Sequence, residues 1–384
     1  MVIKLCRDYS IPLIAGVIVA LVWANLFPES YHHVVHTPII FDVNFHWLIN
    51  DIFMVFFFAI AGVEIVNSLS VGGALNPIKK SVTPLMATAG GVLGPIAIFF
   101  ILNSIIGSPE YVKGWGICTA TDIALAWLLA RVVFGRSHPA VSFLLLLAVV
   151  DDGIGLAIIA IFYPDPINPT QPIWLVLVLF AMLIAYRLNK KGVNSYWPYV
   201  LFCGTLSWFG MYNAHLHPAL SLIAIVPFLP KTGMAIVHDD SHGIDDASCC
   251  SCLSTFEQQV APFVEFGLFF FGLTNAGVEL AGMSNLTLII LISLVVGKTI
   301  GISLFTWIAT LLGFKLPTGM KANDVVVAGL IGGMGLTVAL FVAGAAFVDM
   351  ELQGAAKMGA LLTASVFILA IVAGKIARIK KIKC

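Results

Sequence analysis

The chain has 384 residues, of which 60% are hydrophobic and only 10% charged, with a mean hydropathy of +1.01. These values exclude a soluble two- or three-domain protein of this length and leave an all-α polytopic membrane protein. Basic and acidic residues balance at 20 each, so net charge carries no sign of a nucleic-acid partner.

Long apolar stretches bounded by Pro, Gly, Asn or charge predict about twelve transmembrane helices. They start near Ser10, Ile49, Thr83, Gly114, Ala140, Pro172, Ser195, Leu216, Val260, Leu286, Asp324 and Ala355. The first follows Lys4 and Arg7, but Ser10 to Phe27 is long for a signal-peptide core and has no clear small-residue cleavage site, so it reads as an uncleaved helix. A cytoplasmic N-terminus puts 17 of the 20 Lys and Arg residues on that side, leaving Lys113 and Lys357 outside and Lys298 within a span. Cytoplasmic loops retain basic residues, so both termini are expected in the cytoplasm and the basic tail there has weak affinity for anionic lipid. Seven cysteines suggest no disulfide framework: Cys118 and Cys203 fall in spans, and Cys6, Cys249, Cys250, Cys252 and Cys384 on the reducing side.

Along the chain, the polar stretch Pro28–His46 is external, and its His32, His33, His36 and His46 read as solvated. In the fourth span Thr119, Thr121 and Asp122 sit at mid-depth, where polar side chains can satisfy backbone groups freed by unwinding. The fifth span, Ala140 to Tyr163, carries Asp151 and Asp152 near its middle. An aspartate there costs ~2.5–3.5 kcal/mol on insertion scales, so two in succession point to ion carriage or proton relay. A buried structural network is the competing reading. In the ninth span Glu265 lies near the cytoplasmic end and reads as a snorkelling interfacial residue in preference to a second proton site. Lys298, in the tenth, is too deep to snorkel and needs an anionic partner among Asp151, Asp152 and Asp122. Adjacent helical residues diverge by ~100°, so one aspartate of the pair can face Lys298 while the other faces an aqueous cavity. In the eleventh span Gly329, Gly332, Gly333 and Gly335 precede Thr337, a second place where a helix can open. Spans three to five and ten to twelve overlay as inverted halves, approximately residues 83–163 and 286–377 of a single transporter domain. The two interrupted segments are then the central member of each half, and such segments point to a transporter's binding site.

These residues resemble the NhaA-type sodium/proton antiporters, a standing example of inverted-topology repeats. The resemblance covers nearly the whole chain. It rests on Thr121-Asp122-Ile123-Ala124, Asp151-Asp152-Gly153, Asn275-Ala276-Gly277-Val278, Gly297-Lys298 with Gly301-Ile302-Ser303-Leu304-Phe305, and Gly333-Met334-Gly335-Leu336-Thr337, in the family's order. It implies discontinuous fourth and eleventh helices, with Thr121 and Asp122 at their crossing, Asp122 offsetting the positive helix ends and Lys298 the negative ones. It implies Asp152 as main cation ligand and proton carrier, with Asp151 exchanging between Lys298 and the cation cavity. Gly62-Val63-Glu64 matches the second helix, so Glu64 would line a cytoplasmic funnel, with Glu257 before the ninth span as its companion. The segment 28–46 matches an external hairpin at a homodimer contact. The expected activity is electrogenic exchange of cytoplasmic sodium, with lithium left open, for external protons by alternating access in the bacterial inner membrane, serving sodium and pH homeostasis. The protein would be no enzyme and need no cofactor. A sodium-coupled solute symporter on the same fold is the alternative. An intramembrane aspartyl protease is excluded, since its aspartates belong on separate helices with a Gly-x-Gly-Asp arrangement that does not occur here.

The chain departs from the family where pH regulation is concerned. Ile65, Val66, Asn67 and Ser68 follow Glu64 in place of a charged run, and Gln258 and Gln259 follow Glu257 where the family has histidine. Histidine is the side chain whose unperturbed pKa suits a switch near neutrality. Exchange is therefore predicted to have a shifted or shallower pH profile, checked by activity against pH; a curve as steep near neutrality as that of relatives retaining the cluster refutes it. The cytoplasmic loop 231–257 carries His238, His242, Cys249 and Cys252, ligand types and spacings that can hold zinc, although a flexible linker containing Asp239, Asp240, Asp245 and Asp246 is the favoured reading.

Overall fold

In the computed structural model, which describes residues 10–40, 43–70, 73, 78–164, 168–231 and 251–379, the regular structure is almost entirely helical. The first third runs α1 (Ile11–Leu26), α2 (Pro28–His36), a hairpin of β1 (Pro38–Ile40) and β2 (Val43–Asn44), α3 (Phe45–Leu69) and α4 (Ile78–Ile106). A 3-10 segment, Pro109–Thr119, then leads into α5 (Ile123–Phe134), α6 (Pro139–Phe162), α7 (Leu175–Lys190) and α8 (Thr205–Asn213). The last third comprises α9 (Cys252–Asn275), α10 (Asn285–Leu311), α11 (Ala322–Gly332), α12 (Thr337–Ala346) and α13 (Met350–Ile376). Six stretches are long and apolar enough to cross a membrane, and up to eight if each of two bent pairs is one span. The bent pairs are Pro109–Thr119 with α5, at 58°, and α11 with α12, at 48°, which are the fourth and eleventh spans of the sequence.

The span predicted from Leu216 is not a continuous helix. Its backbone forms short 3-10 turns at Pro218–Leu220 and Val226–Phe228, after a left-handed His215 at φ 58°. Pro218 and Pro227 lack the N–H that an α-helical ladder requires, so the apolar composition stands without the helix.

Hydrocarbon tails are as apolar as leucine, so helices in a membrane associate through close backbone approach. The most extensive contact is between α4 and α10, where Gly90 and Gly94 face Gly297 and Gly301. A Cβ on Gly301 would collide with the Gly90 carbonyl oxygen, so the helices touch backbone to backbone. Gly301→Ala is expected to destabilise the protein by ~1–3 kcal/mol through overpacking. Thermal unfolding of the purified variant checks this, and an unchanged midpoint contradicts it. A π-helical turn, Ser293–Gly297, ends immediately before Lys298 in α10, an irregularity of the kind that re-aims a functional side chain.

Segment 28–46 combines a helix with a hairpin, α2 followed by β1 and β2, so the expected hairpin is only its second half. Asn44 closes it by accepting from Trp47 N at 2.7 Å, capping the start of α3. Tyr31, buried, donates to the Leu273 carbonyl at 2.8 Å and ties α2 to the end of α9. The histidines here are not simply solvated: His32 stacks on His36 with ring centroids 5.6 Å apart, and His36 meets His46 at 5.4 Å. Burial, then the charges of His32 and Lys357, hold His36 below the usual imidazole range. Lys357, expected outside the membrane, is only 5% exposed near the start of α13.

Candidate functional site

The two bent pairs break where Thr, Asp and Gly replace apolar residues, and each break satisfies the other's backbone. Asp122 N donates to the Met334 carbonyl at 2.8 Å, and the Thr121 hydroxyl lies 3.0 Å from the Gly332 carbonyl. These contacts occupy carbonyls that the end of α11 leaves without helical partners. Gly335 permits the approach, since a Cβ there would sit 2.7 Å from the Ala120 carbonyl oxygen.

Asp122 serves two helix N-termini at once. Its Oδ1 accepts from Leu125 N at 3.1 Å, capping α5, and its Oδ2 accepts from Thr337 N at 3.2 Å and from the Thr337 hydroxyl, at the start of α12. A negative charge at two positive helix ends, with hydrogen bonds from both, accounts for a carboxylate only 4% exposed. The sequence singled out Thr337 as a place of opening but gave no signal that it would bind Asp122.

Asp151 and Asp152 lie in the middle of α6 and diverge as helical geometry requires. Asp151 Oδ2 is 2.5 Å from Lys298 Nζ, with both side chains fully buried. The Thr121 hydroxyl completes a triangle, donating to Asp151 Oδ2 at 2.6 Å and accepting from Lys298 at 2.5 Å. Of the three carboxylates available to Lys298, Asp151 alone pairs with it among the described residues.

Asp152 points elsewhere. It is 7% exposed, its Oδ1 has no hydrogen-bond partner, and it lines a cavity of about 340 Å³. The same cavity is bounded by Ser10 at the start of α1, Glu64 in α3, Asp122 and Glu265 in α9. Glu265 is half-buried and borders this cavity. Its helical spacing gave the depth but could not say which neighbours would enclose it. Glu257 accepts from Asn67 Nδ2 at 3.2 Å, one turn beyond Glu64 in α3, so both funnel candidates gather at one end of the bundle. No cluster of three or more potential metal ligands occurs among the described residues. Of the zinc candidates, His238, His242 and Cys249 lie outside the described residues, and Cys252 is a buried free thiol opening α9.

The arrangement thus joins a buried lysine-carboxylate pair to a neighbouring carboxylate on a cavity. It can bind and release a cation or a proton. Residues 3–377 match the family model described as Na+/H+ antiporter 1. The chain is 58% identical over 383 residues to the Na(+)/H(+) antiporter NhaA of Desulfitobacterium hafniense strain DSM 10664, covering 99% of this chain and 97% of that one. It is 53% identical over 380 residues to the protein of the same name from Geobacter sulfurreducens, covering 99% of each. Among solved structures, the sodium proton antiporter MjNhaP1 from Methanocaldococcus jannaschii shares the fold, with a TM-score of 0.57 at 15% identity over 96% of this chain and 91% of that one.

Proposed function

The chain belongs to the Na+/H+ antiporter 1 family and exchanges sodium for protons, and from that premise we propose that Asp152 is the group that carries the two ions in turn. The observation behind this reading is a buried carboxylate oxygen, Asp152 Oδ1, without a hydrogen-bond partner among the described residues and on the wall of a cavity. A charged, unpaired carboxylate is costly there, and either a proton or a hard, oxygen-seeking cation relieves that cost. The two compete for the same oxygens. If the protein turns its site to the other side only when loaded, sodium moving one way obliges protons to move the other. Lithium, also a hard monovalent cation, fits the same seat.

Asp151 is the second carboxylate of the cycle, released from Lys298 when sodium occupies the seat and re-paired when it leaves. A proton held by Lys298 in one half of the cycle makes the exchange electrogenic, and each net charge then adds ~2.3 kcal/mol of driving force per 100 mV. Residues 83–163 and 286–377 act as the inverted halves whose bent members, Pro109–Thr119 with α5 and α11 with α12, cross at the site. We place the opening of this cavity, near Ser10 and Glu64, on the N-terminal side, and the excess of basic residues there supports a cytoplasmic face in a bacterial inner membrane. The external segment 28–46 is the proposed homodimer contact. Sodium-coupled solute symport has no support among the relatives, which bear an antiporter's name.

The test is a dye-quench assay in everted vesicles carrying the protein and lacking other sodium/proton antiporters. Adding sodium to respiring vesicles should collapse the proton gradient with no organic solute present. A gradient indifferent to sodium at every pH from about 6 to about 9 would sink the reading.

A further inference from the structure

We propose that Asp51 is the cation-binding group of a second cavity, on the far side of the bundle from the one at Asp152, where it receives sodium and collects protons at the outer face. This rests on the reading of Asp152 as the exchange seat. The second cavity measures about 630 Å³, and Asp51 is the one carboxylate among its described lining residues, none of which is lysine or arginine. Tyr212, His215 and His217 are the other titratable groups on its wall. Asp51 lies in a π-helical turn, Leu48–Phe53, an irregularity of the kind that often marks a functional site. Its backbone is fixed, since Trp208 Nε1 in α8 donates to its carbonyl at 2.9 Å. Its half-buried carboxylate, by contrast, takes part in no hydrogen bond or ion pair among the described residues.

Depth along two helices places this cavity opposite the one at Asp152. In α3, Asp51 precedes Glu64 by about 20 Å at ~1.5 Å per residue, and Glu64 borders the Asp152 cavity. In α12, Thr337 and Val338 border the Asp152 cavity, whereas Gly344 and Ala345, about 9 Å further along, border the second. Between these levels Phe58 of α3 and Phe341 of α12 are buried with ring centroids 5.1 Å apart, and Phe341 meets the His217 ring at 5.5 Å. Neither phenylalanine borders either cavity, so both helices run from one cavity to the other across this aromatic contact. With the N-terminal side cytoplasmic, Asp51 stands on the outer side of it. A charged cleft between low-dielectric walls concentrates counter-ions about tenfold or more, and a free carboxylate offers sodium the hard oxygen it prefers. The same charge attracts protons arriving from that face. Its loss therefore weakens sodium and protons there by the same factor, which leaves the exchange equilibrium unchanged and spares the cytoplasmic face.

The experiment compares the two faces of the membrane. Everted vesicles present the cytoplasmic face to added sodium and right-side-out vesicles the outer face; exchange is followed in both at a pH of about 8, where an unperturbed histidine is neutral. Asp51→Asn should raise the apparent KM for sodium about five- to tenfold at the outer face and change it less than about twofold at the cytoplasmic face. Choline chloride should narrow the outer-face gap from native, because added salt screens the charge. Asp51→Glu, which keeps that charge, should bring the outer-face KM to within about twofold of native. A purely structural role would impair both faces alike and would not be rescued by glutamate. The proposal is overturned if Asp51→Asn raises KM equally at both faces, at the cytoplasmic face alone or at neither, if it abolishes exchange from both, or if Asp51→Glu behaves no better than Asp51→Asn. Failure of the underlying reading looks different: there the native protein moves no protons on sodium addition, or Asp152→Asn exchanges as well as native.

Discussion

Replacing Asp152 with asparagine should abolish sodium/proton exchange while leaving the protein folded and at least as stable. The two halves of this expectation come from the same atoms. Asp152 Oδ1 has no hydrogen-bond partner among the described residues, so the amide removes a buried charge without breaking a bond the fold depends on. An uncompensated buried charge is a standing cost, and relieving it is neutral or favourable to folding. Function has no such latitude. Asparagine matches aspartate in size but can neither take up a proton nor offer a full negative charge to sodium, so both legs of the cycle fail together. Exchange should fall by ~100-fold or more, equivalent to about 2.8 kcal/mol at ~1.4 kcal/mol per decade. The measurements are dequenching in everted vesicles and thermal unfolding of the purified variant. Retained exchange would remove Asp152 from the centre of the mechanism, whereas a large drop in unfolding temperature would mean that its carboxylate has a structural partner.

That pairing of outcomes shows which parts of the site can be read from sequence. A charge in the middle of an apolar run must be paired or used, and this alone selected Asp151, Asp152, Asp122 and Lys298. The two helix breaks were legible for a similar reason: Thr121 with Asp122, and the glycines before Thr337, are the residue types that tolerate or satisfy an opened backbone. What the sequence left open was direction. Helical spacing states that Asp151 and Asp152 face different ways, but the choice of Asp151 for Lys298 depends on how α6 and α10 are rotated in the bundle. The same holds for Glu265, whose depth follows from its position in α9 while the cavity around it is made by α1, α3 and the bent helices.

Apolar composition also promised more than the backbone delivered. The stretch from Leu216 is hydrophobic enough for a span, yet Pro218 and Pro227 turn it into short 3-10 segments, so a hydropathy window counted a helix that local stereochemistry forbids. Conversely, α2, the stacked rings of His32 and His36 and the tilted contact of His36 with His46 arose from a segment that reads as a polar loop. Its order comes from contacts with α9, through Tyr31, that no local pattern encodes.

Lys298 and Asp151 should behave as one unit whose parts are worth less alone than together absent. Lys298→Met leaves Asp151, which is fully buried, with the Thr121 hydroxyl as its remaining hydrogen-bond donor. Removing one partner of a buried ion pair typically costs ~3–5 kcal/mol, so the single variant should unfold at a much lower temperature. Replacing both, as Lys298→Met with Asp151→Leu, removes the orphaned charge, and Thr121 can still donate to the Gly332 carbonyl 3.0 Å away. Stability should return to native or exceed it by ~1–4 kcal/mol, since apolar replacements of buried pairs are often neutral or stabilising. Transport separates the two roles of the pair. With Asp152 intact, the double variant can still swap a proton for sodium on one carboxylate, but it has lost the residue that carries an extra positive charge through the cycle. Imposing a membrane potential across proteoliposomes should therefore accelerate native exchange and leave the double variant unaffected. A double variant as unstable as Lys298→Met would mean that the pair is held by more than its own charges, and one that still responds to voltage would place the source of electrogenicity elsewhere in the bundle.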